Sequence, residues 1–263
     1  MAPALPRKSR NGSRLVRLLA DMATAEVAES TQPFAERLGL WLDWTDAIAL
    51  SAVVQGEAAS RPQQAARTTT TVSVRSVADQ LARVRLDLTR ALTTDASRST
   101  GRAGTAASRT PTTVVDDGDA NDFAPHRRRY QAHQRAMETK IKPLRAEARA
   151  ALAGQSPSGG QLAAFDAVLE EALAAREQHL LSTVPRWLEQ HFARLRAAHA
   201  STEGGDERPA GSGTSTPPAA WLAAYRRDMH EVLLAELDVR LQPVEGLLEA
   251  LLEATGNEVT EGP

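Results

Sequence analysis

The residues best suited to chemistry in this sequence are three carboxylates, Glu36, Asp43 and Asp46, set in the apolar run FAERLGLWLDWTDAIALSAVV over residues 34–54. Read as one helix, they form a narrow acidic line, while Phe34, Leu38, Trp41, Leu42, Ile48 and Ala52 share a broad apolar face. Two carboxylates on one face can ligate a hard cation or serve as acid and base. On that reading Asp43 and Asp46 are the metal ligands of a nuclease. The plainer alternative is a solvated or salt-bridged stripe, because no His, Asn or second carboxylate helix accompanies the pair. Trp41 and Trp44 are expected to supply buried packing area, each indole N–H needing a partner, rather than a stacking platform for bases.

Other chemistry has less to stand on. Glu138, Thr139 and Lys140 match the E-x-K of some metal-dependent nucleases, but that motif belongs on a strand edge and here falls in a helical pattern. The histidines at 126, 133, 179, 191, 199 and 230 have no H-E-x-x-H or other zinc spacing. There is no P-loop, no G-x-G-x-x-G and no G-x-S-x-G. The absence of cysteine removes disulfides, thiolate catalysis and Cys-ligated metals. No catalytic, cofactor-binding or metal residue is therefore assigned, no cofactor is expected, and a non-enzymatic protein is the expectation.

A basic ridge is the clearest pointer to a partner. Arg128, Arg135, Lys142 and Arg149 recur at heptad spacing with Arg145 beside them, about 200° around a helix from Tyr130, Met137, Leu144 and Ala151. At 1.5 Å per residue the ridge is roughly 30 Å long and suits a phosphate backbone. The N-terminal cluster Arg7, Lys8, Arg10, Arg14 and Arg17 adds to it. Charge segregation offers an alternative: residues 121–154 carry +5 and residues 221–263 carry −6, within a chain of net −2. The basic centre and the acidic C-terminal helix then neutralise each other in the fold, or face different partners.

These residues must be positioned by helices. Alanine, leucine, arginine and glutamate dominate and aromatics are only 4%, the composition of long helices rather than sandwiches or doubly wound sheets. From Ser76, a potential N-cap with Asp79 at the capping-box position, Val77, Leu81, Val84, Leu88 and Ala91 recur at alternating spacings of four and three, a coiled-coil-like seam. Tyr130, Met137, Ile141, Leu144, Ala148 and Leu152 make a second stripe. Leu162, Phe165, Leu169, Leu173, Leu180, Val184, Leu188, Phe192 and Leu195 make a third. The last comprises Leu222, Tyr225, Met229, Leu233, Leu237, Leu241, Val244, Leu248 and Leu251. Pro143, Pro185 and Pro243 interrupt backbone hydrogen bonding without breaking the stripes, so helices kinked there and compensated by packing are expected. Ordinary helix–proline junctions and an ancestral helical repeat both account for them.

The expected fold is all-α, an elongated bundle of proline-kinked helices with disordered linkers. Its segments are an N-terminal helical segment at 13–54, a linker at 55–72, a heptad-like helix at 73–92, a disordered linker at 93–120, a kinked helical hairpin at 121–200, a disordered linker at 201–218 and a kinked C-terminal helix at 219–255. Trp41, Trp44, Leu81, Val84, Leu88, Leu237, Leu241 and Leu248 are the expected core or partner interface. The N-terminus lacks the continuous apolar segment of a signal peptide, and no run approaches the roughly 20 apolar residues that span a bilayer. A cytoplasmic protein without membrane insertion is the expectation.

Several passages resemble a proteobacterial family of helical proteins of unknown function. They are SRLVRLLADMATAEVAES, FAERLGLWLDWTDAIAL, FAPHRRRYQAHQRAMETKIKPLRAEARAAL, LAAREQHLLSTVPRWLEQHFARLR and DMHEVLLAELDVRLQPVEGLLEAL. That family includes the ZorF component of type III Zorya anti-phage defence, whose genes resemble those lying beside a MotA/ExbB-like proton-channel protein and an OmpA-like protein. The resemblance implies a cytoplasmic accessory or adaptor protein recruited to an inner-membrane motor and acting with a companion effector. A sequence-independent DNA-binding effector of the same system is the alternative. Self-association is left open, and the resemblance transfers no catalytic residue.

Overall fold

The computed structural model describes residues 13–23, 32–56, 74–101, 122–203 and 219–260. Seven helices account for nearly all of them: α1 (Arg14–Ala23), α2 (Phe34–Gly39), α3 (Trp44–Val54), α4 (Val74–Gly101), α5 (Ala124–Ala153), α6 (Pro157–Glu203) and α7 (Ala219–Thr260). No strand occurs among the described residues, and the protein is an all-α helical bundle. No helix among these residues is long and apolar enough to cross a membrane.

Two compact units divide the chain. The first is formed by Met1–Glu29, Thr89–Arg135 and Thr183–Val239. Its core draws Leu92 from α4, Tyr130 from α5, Val184, Leu188 and Phe192 from α6, and Met229, Val232 and Leu233 from α7. An aromatic cluster closes it: the rings of Phe192 and Tyr225 meet edge-on at 5.1 Å, and buried His126 stands 5.1 Å from Tyr225 in the same manner. Edge-to-face packing sets the electropositive ring edge against the partner's electron-rich face.

The second unit is formed by Ser30–Leu88, Ala136–Ser182 and Arg240–Pro263. Met137, Ile141, Leu144, Ala148 and Leu152 of α5 are buried in it with Val77, Leu81 and Leu88 of α4 and Leu241, Val244 and Leu251 of α7. A short turn, Gly154 to Ser156, joins α5 to α6. Gly159, on the first turn of α6, approaches α5 so closely that a Cβ there would lie 2.4 Å from the Leu152 carbonyl oxygen. Only a residue without Cβ permits that approach.

The second and fourth stripes are buried largely as their spacing predicts, and Pro143, Pro185 and Pro243 all lie inside continuous helices. The α4 stripe differs at both ends. α4 is already helical at Val74, so Ser76 is not its N-cap. Val77, Leu81, Leu88 and Leu92 are buried, while Val84 is half-buried and Ala91 exposed. A helix with 3.6 residues per turn drifts about 20° per heptad, which brings Leu92 rather than Ala91 to the core. α4 also continues helical through Gly101, beyond the expected end at 92. The remaining linker expectations fall mostly on residues 57–73, 102–121 and 204–218, outside the described residues.

On α6 the expected stripe fails over its first half. Leu162 and Leu180 are exposed, and the neighbouring Ala163 and Leu181 are buried instead. Phe165, Leu169 and Leu173 are half-buried. Part of this helix face is given to ion pairs rather than apolar packing: Asp166 and Glu170 engage Arg145 and Arg149 of α5.

Candidate functional site

The run 34–54 is two helices, not one. The backbone N–H of Leu40 and that of Leu42 close onto Glu36 and Leu38, and the chain leaves α2 through a turn. Asp43 then adopts an extended backbone (φ −84, ψ 178) as the N-cap of α3. Its Oδ1 accepts the Asp46 amide at 2.8 Å, and Asp46 Oδ2 accepts the Asp43 amide at 3.1 Å. This is a reciprocal capping box that satisfies donors at the open end of a helix. The Thr45 hydroxyl and the Asp46 amide hold the Asp43 carboxyl below the ordinary aspartate range. The acidic line read from a single wheel does not exist, and the two carboxylates have a structural task in place of metal ligation. No group of metal-ligating side chains occurs among the described residues.

The far end of α3 is closed as deliberately. Gln55 and Gly56 return their amides to Ser51 and Val53, and Gly56 takes φ +78, a left-handed conformation that favours glycine. Gln161 of α6 donates to the carbonyls of Val53 and Val54 at 3.0 and 2.7 Å. Val53 is buried, so α3 is anchored along one side.

Its other side is apolar and faces water. Trp44 is 80% exposed, Ile48 52% and Val54 61%, and Leu40 in the preceding turn is 73% exposed. With Ala47 and Ser51 these α3 residues fall within about 120° of arc. Trp41, 39% exposed, carries the Arg176 guanidinium 4.6 Å from its ring centre, a cation–π contact. The expectation of buried tryptophans is thus corrected: the helix break rotates Trp44 away from the side that carries Val53. Of the remaining positions expected at a core or partner interface, Leu81, Leu88, Leu237 and Leu241 are buried in the chain's own core, and Val84 and Leu248 are half-buried. Trp41 and Trp44 alone of that set are exposed.

The basic ridge divides. Arg128, Arg135 and Lys142 are exposed. Arg145 instead forms a forked pair with Asp166 at 2.9 and 2.6 Å, and Arg149 contacts both Asp166 and Glu170. The side chains of Arg145 and Asp166 are only 14% and 15% exposed. Burial opposes the Arg145 charge, but Asp166, by hydrogen bond and by charge, together with the charges of Glu170 and Glu177 outweighs it and raises the pKa. These two arginines serve the α5–α6 junction rather than a phosphate backbone. Of the N-terminal cluster, Arg14 pairs with Glu231, Arg17 is exposed, and Arg7, Lys8 and Arg10 lie outside the described residues.

Basic groups of α5 pair with α4 and α6, as in Lys140 with Asp87 and Arg127 with Glu189. Two acids of α7 pair with other helices, Glu231 with Arg14 of α1 and Glu245 with Arg85 of α4. Glu236 of α7 is fully buried and accepts hydrogen bonds from Tyr130 and from Gln134. This buried carboxylate escapes a reading by apolar spacing, although its place beside Val232, Leu233 and Leu237 on the buried side of α7 is the signal that betrays it. Tyr225 is buried within the aromatic cluster, and burial, with Glu189 adding to it, pushes its phenol pKa up.

A family model described as a protein of unknown function (DUF3348) matches residues 1–253. Comparison with curated proteins and with solved structures gives no match. An all-α bundle with a capped, outward-facing apolar helix is thus the structure of a protein that, by a match over nearly its whole length, belongs to the DUF3348 family.

Proposed function

We propose that the protein is a non-enzymatic helical adaptor that holds an amphipathic helix of a partner protein against the outward face of α3. The carrying observation is the row Trp44, Ile48 and Val54, exposed on a helix capped at both ends. Leaving such side chains in water forgoes about 1.5–3 kcal/mol for each large aliphatic group. A partner helix inserting between them recovers it, as in helix-in-groove recognition. A protein suits this face better than an anionic membrane, since exposed Glu36 and Asp43 repel acidic lipid headgroups while attracting lysine or arginine on a partner.

The resemblance of the helical passages to a component of Zorya-like defence supports a setting for this adaptor. It acts on the cytoplasmic side, with a MotA/ExbB-like proton-channel motor and a companion effector as its partners. The test is co-purification of the tagged protein with the motor and effector encoded beside it, comparing wild type with Trp44→Ser/Ile48→Ser. Co-elution of a motor or effector subunit that falls at least about tenfold in the variant, roughly the loss of one large apolar contact, is expected. Absence of both subunits from the wild-type eluate, or equal recovery with the variant, overturns the proposal.

A further inference from the structure

Charge is unevenly distributed along the outward side of α3. From Ala47 to Gly56 the sequence holds no charged residue, so exposed Ile48, Ser51 and Val54 form a neutral stretch. At the opposite end Asp43 and Glu36 are both exposed. Asp43 is the N-cap of the helix, one residue before Trp44. Glu36 stands one turn before Leu40, whose amide closes onto the Glu36 carbonyl, so these two side chains leave α2 on the same side. Among the described residues neither carboxylate forms an ion pair. The Arg176 guanidinium is held over the ring of Trp41 instead. The Thr45 hydroxyl and the Asp46 amide keep the Asp43 carboxyl below the ordinary aspartate range, so it is charged at neutral pH.

A partner helix can lie along the row Trp44, Ile48 and Val54 in two directions, and helix electrostatics separates them. The C-terminal end of a helix carries partial negative charge and is stabilised by lysine or arginine in its last turn, whereas the same cations in the first turn oppose the dipole. A helix parallel to α3 meets Glu36 and Asp43 with its first turn, so cations that satisfy them weaken that helix. An antiparallel helix brings its last turn there. One set of cations then serves both its own dipole and the two carboxylates.

With α3 as the docking face proposed above, we infer that the bound helix runs antiparallel to it, its last turn carrying lysine or arginine over Glu36 and Asp43 while its apolar side chains meet Trp44, Ile48 and Val54. The 11 residues of α3 make it about 16 Å long, so about three turns of partner cover it.

The chain contains no cysteine, so Gln55→Cys reports which end of a partner lies beside the C-terminal end of α3. The probe is a capped amphipathic peptide of about four turns, with leucine along one face, lysine in its last turn and a cysteine at its first or its last position. In a glutathione buffer the first-position cysteine is expected to be trapped at least about fivefold more than the last-position one, matching the bias of two exposed ion pairs. Equal trapping, or preference for the last position, overturns the inference. In the chain without the added cysteine, Glu36→Gln/Asp43→Asn is expected to weaken the cysteine-free peptide about fivefold at low ionic strength, and the difference shrinks with added salt. Asparagine keeps an acceptor at the cap, so α3 stays formed. Unchanged affinity in this variant overturns the inference and leaves the docking face standing. No binding of the peptide to the unmodified chain, or equal binding by Trp44→Ser/Ile48→Ser, removes the docking face itself. A dimer of the full chain that Trp44→Ser/Ile48→Ser dissociates, with no peptide bound, gives the face to a second copy and overturns both.

Discussion

Tyr130 of α5 donates its hydroxyl proton to Glu236 of α7, and both side chains are fully buried in the first unit. Gln134, one turn further along α5, donates to the same carboxylate at 3.0 and 3.2 Å. Between helices whose buried residues are mostly leucine, valine and alanine, apolar packing alone tolerates a slip of one turn. A carboxylate that finds its donors in only one alignment does not, so this contact fixes the register of α5 against α7.

Tyr130→Phe removes one donor and leaves the Glu236 carboxylate with Gln134. The expected loss is about 1.5–3 kcal/mol, typical of a hydrogen bond to a charged group. Glu236→Leu paired with Tyr130→Phe removes both ends and is expected to be less damaging than the sum of the single changes. A double-mutant cycle by urea denaturation measures the coupling. Additive losses would mean that the two side chains act independently.

Glycines provide a second contrast. Gly159→Ala places a Cβ 2.4 Å from the Leu152 carbonyl oxygen, a backbone atom that cannot swing away, while Gly246 has nothing within 4 Å. The first substitution is expected to cost about 1–3 kcal/mol by overpacking. Gly246→Ala, inside α7, is expected to stabilise by up to about 1 kcal/mol through helix propensity. Opposite shifts in melting temperature are therefore predicted, and thermal denaturation followed by circular dichroism reads both.

The bundle itself was legible because a 3.6-residue period needs only one helix to be seen. Tyr130, Met137, Ile141, Leu144, Ala148 and Leu152 are buried together for that reason. Features that depend on a second helix were not. Arg145 and Arg149 have the same sequence pattern as exposed Arg128, and it is the facing Asp166 and Glu170 that make the first two an internal ion-pair cluster. Glu236 escapes because a lone carboxylate ordinarily lies at the surface, although its spacing from Val232 and Leu233 sets it on the buried side of α7. The break before α3 was present in the sequence as Asp43-Trp44-Thr45-Asp46, a capping box, but the continuous apolar run around it disguised the start of a new helix.

That capping box has a pH dependence of definite sign. The Asp43 carboxyl is held below the ordinary aspartate range by Thr45 and Asp46, so the folded state favours its charged form. Its contribution is complete above that range and is lost as the pH falls through the lowered folded value. Asp43→Ala is expected to speed amide exchange at Asp46 and loosen the first turn of α3 at neutral pH, while Asp43→Asn, which keeps an acceptor, retains most of the protection. Amide exchange by mass spectrometry or NMR checks this; equal protection in Asp43→Ala would remove the cap from the account of how α3 is held outward.

The divided basic ridge makes the last prediction. Asp166 holds Arg145 through a forked pair and also meets Arg149, with all three side chains largely removed from water. Asp166→Ala leaves two buried guanidinium groups sharing Glu170, and breaking such a pair by deleting one partner costs about 3–5 kcal/mol. At this chain length that corresponds to a fall in melting temperature of roughly 6–20 °C. Changing Arg128, Arg135 and Lys142 to Gln alters side chains that are exposed rather than buried and is expected to shift stability by less than about 0.5 kcal/mol per site. If those three cations nevertheless engage a phosphate backbone, retention of duplex DNA on a filter at low salt should fall in the triple variant and decline steeply with added salt in the wild type. With Arg145 and Arg149 committed to α6, the expected outcome is little retention at physiological ionic strength in either protein; strong, salt-sensitive retention abolished by the triple change would restore nucleic acid as the ligand of α5.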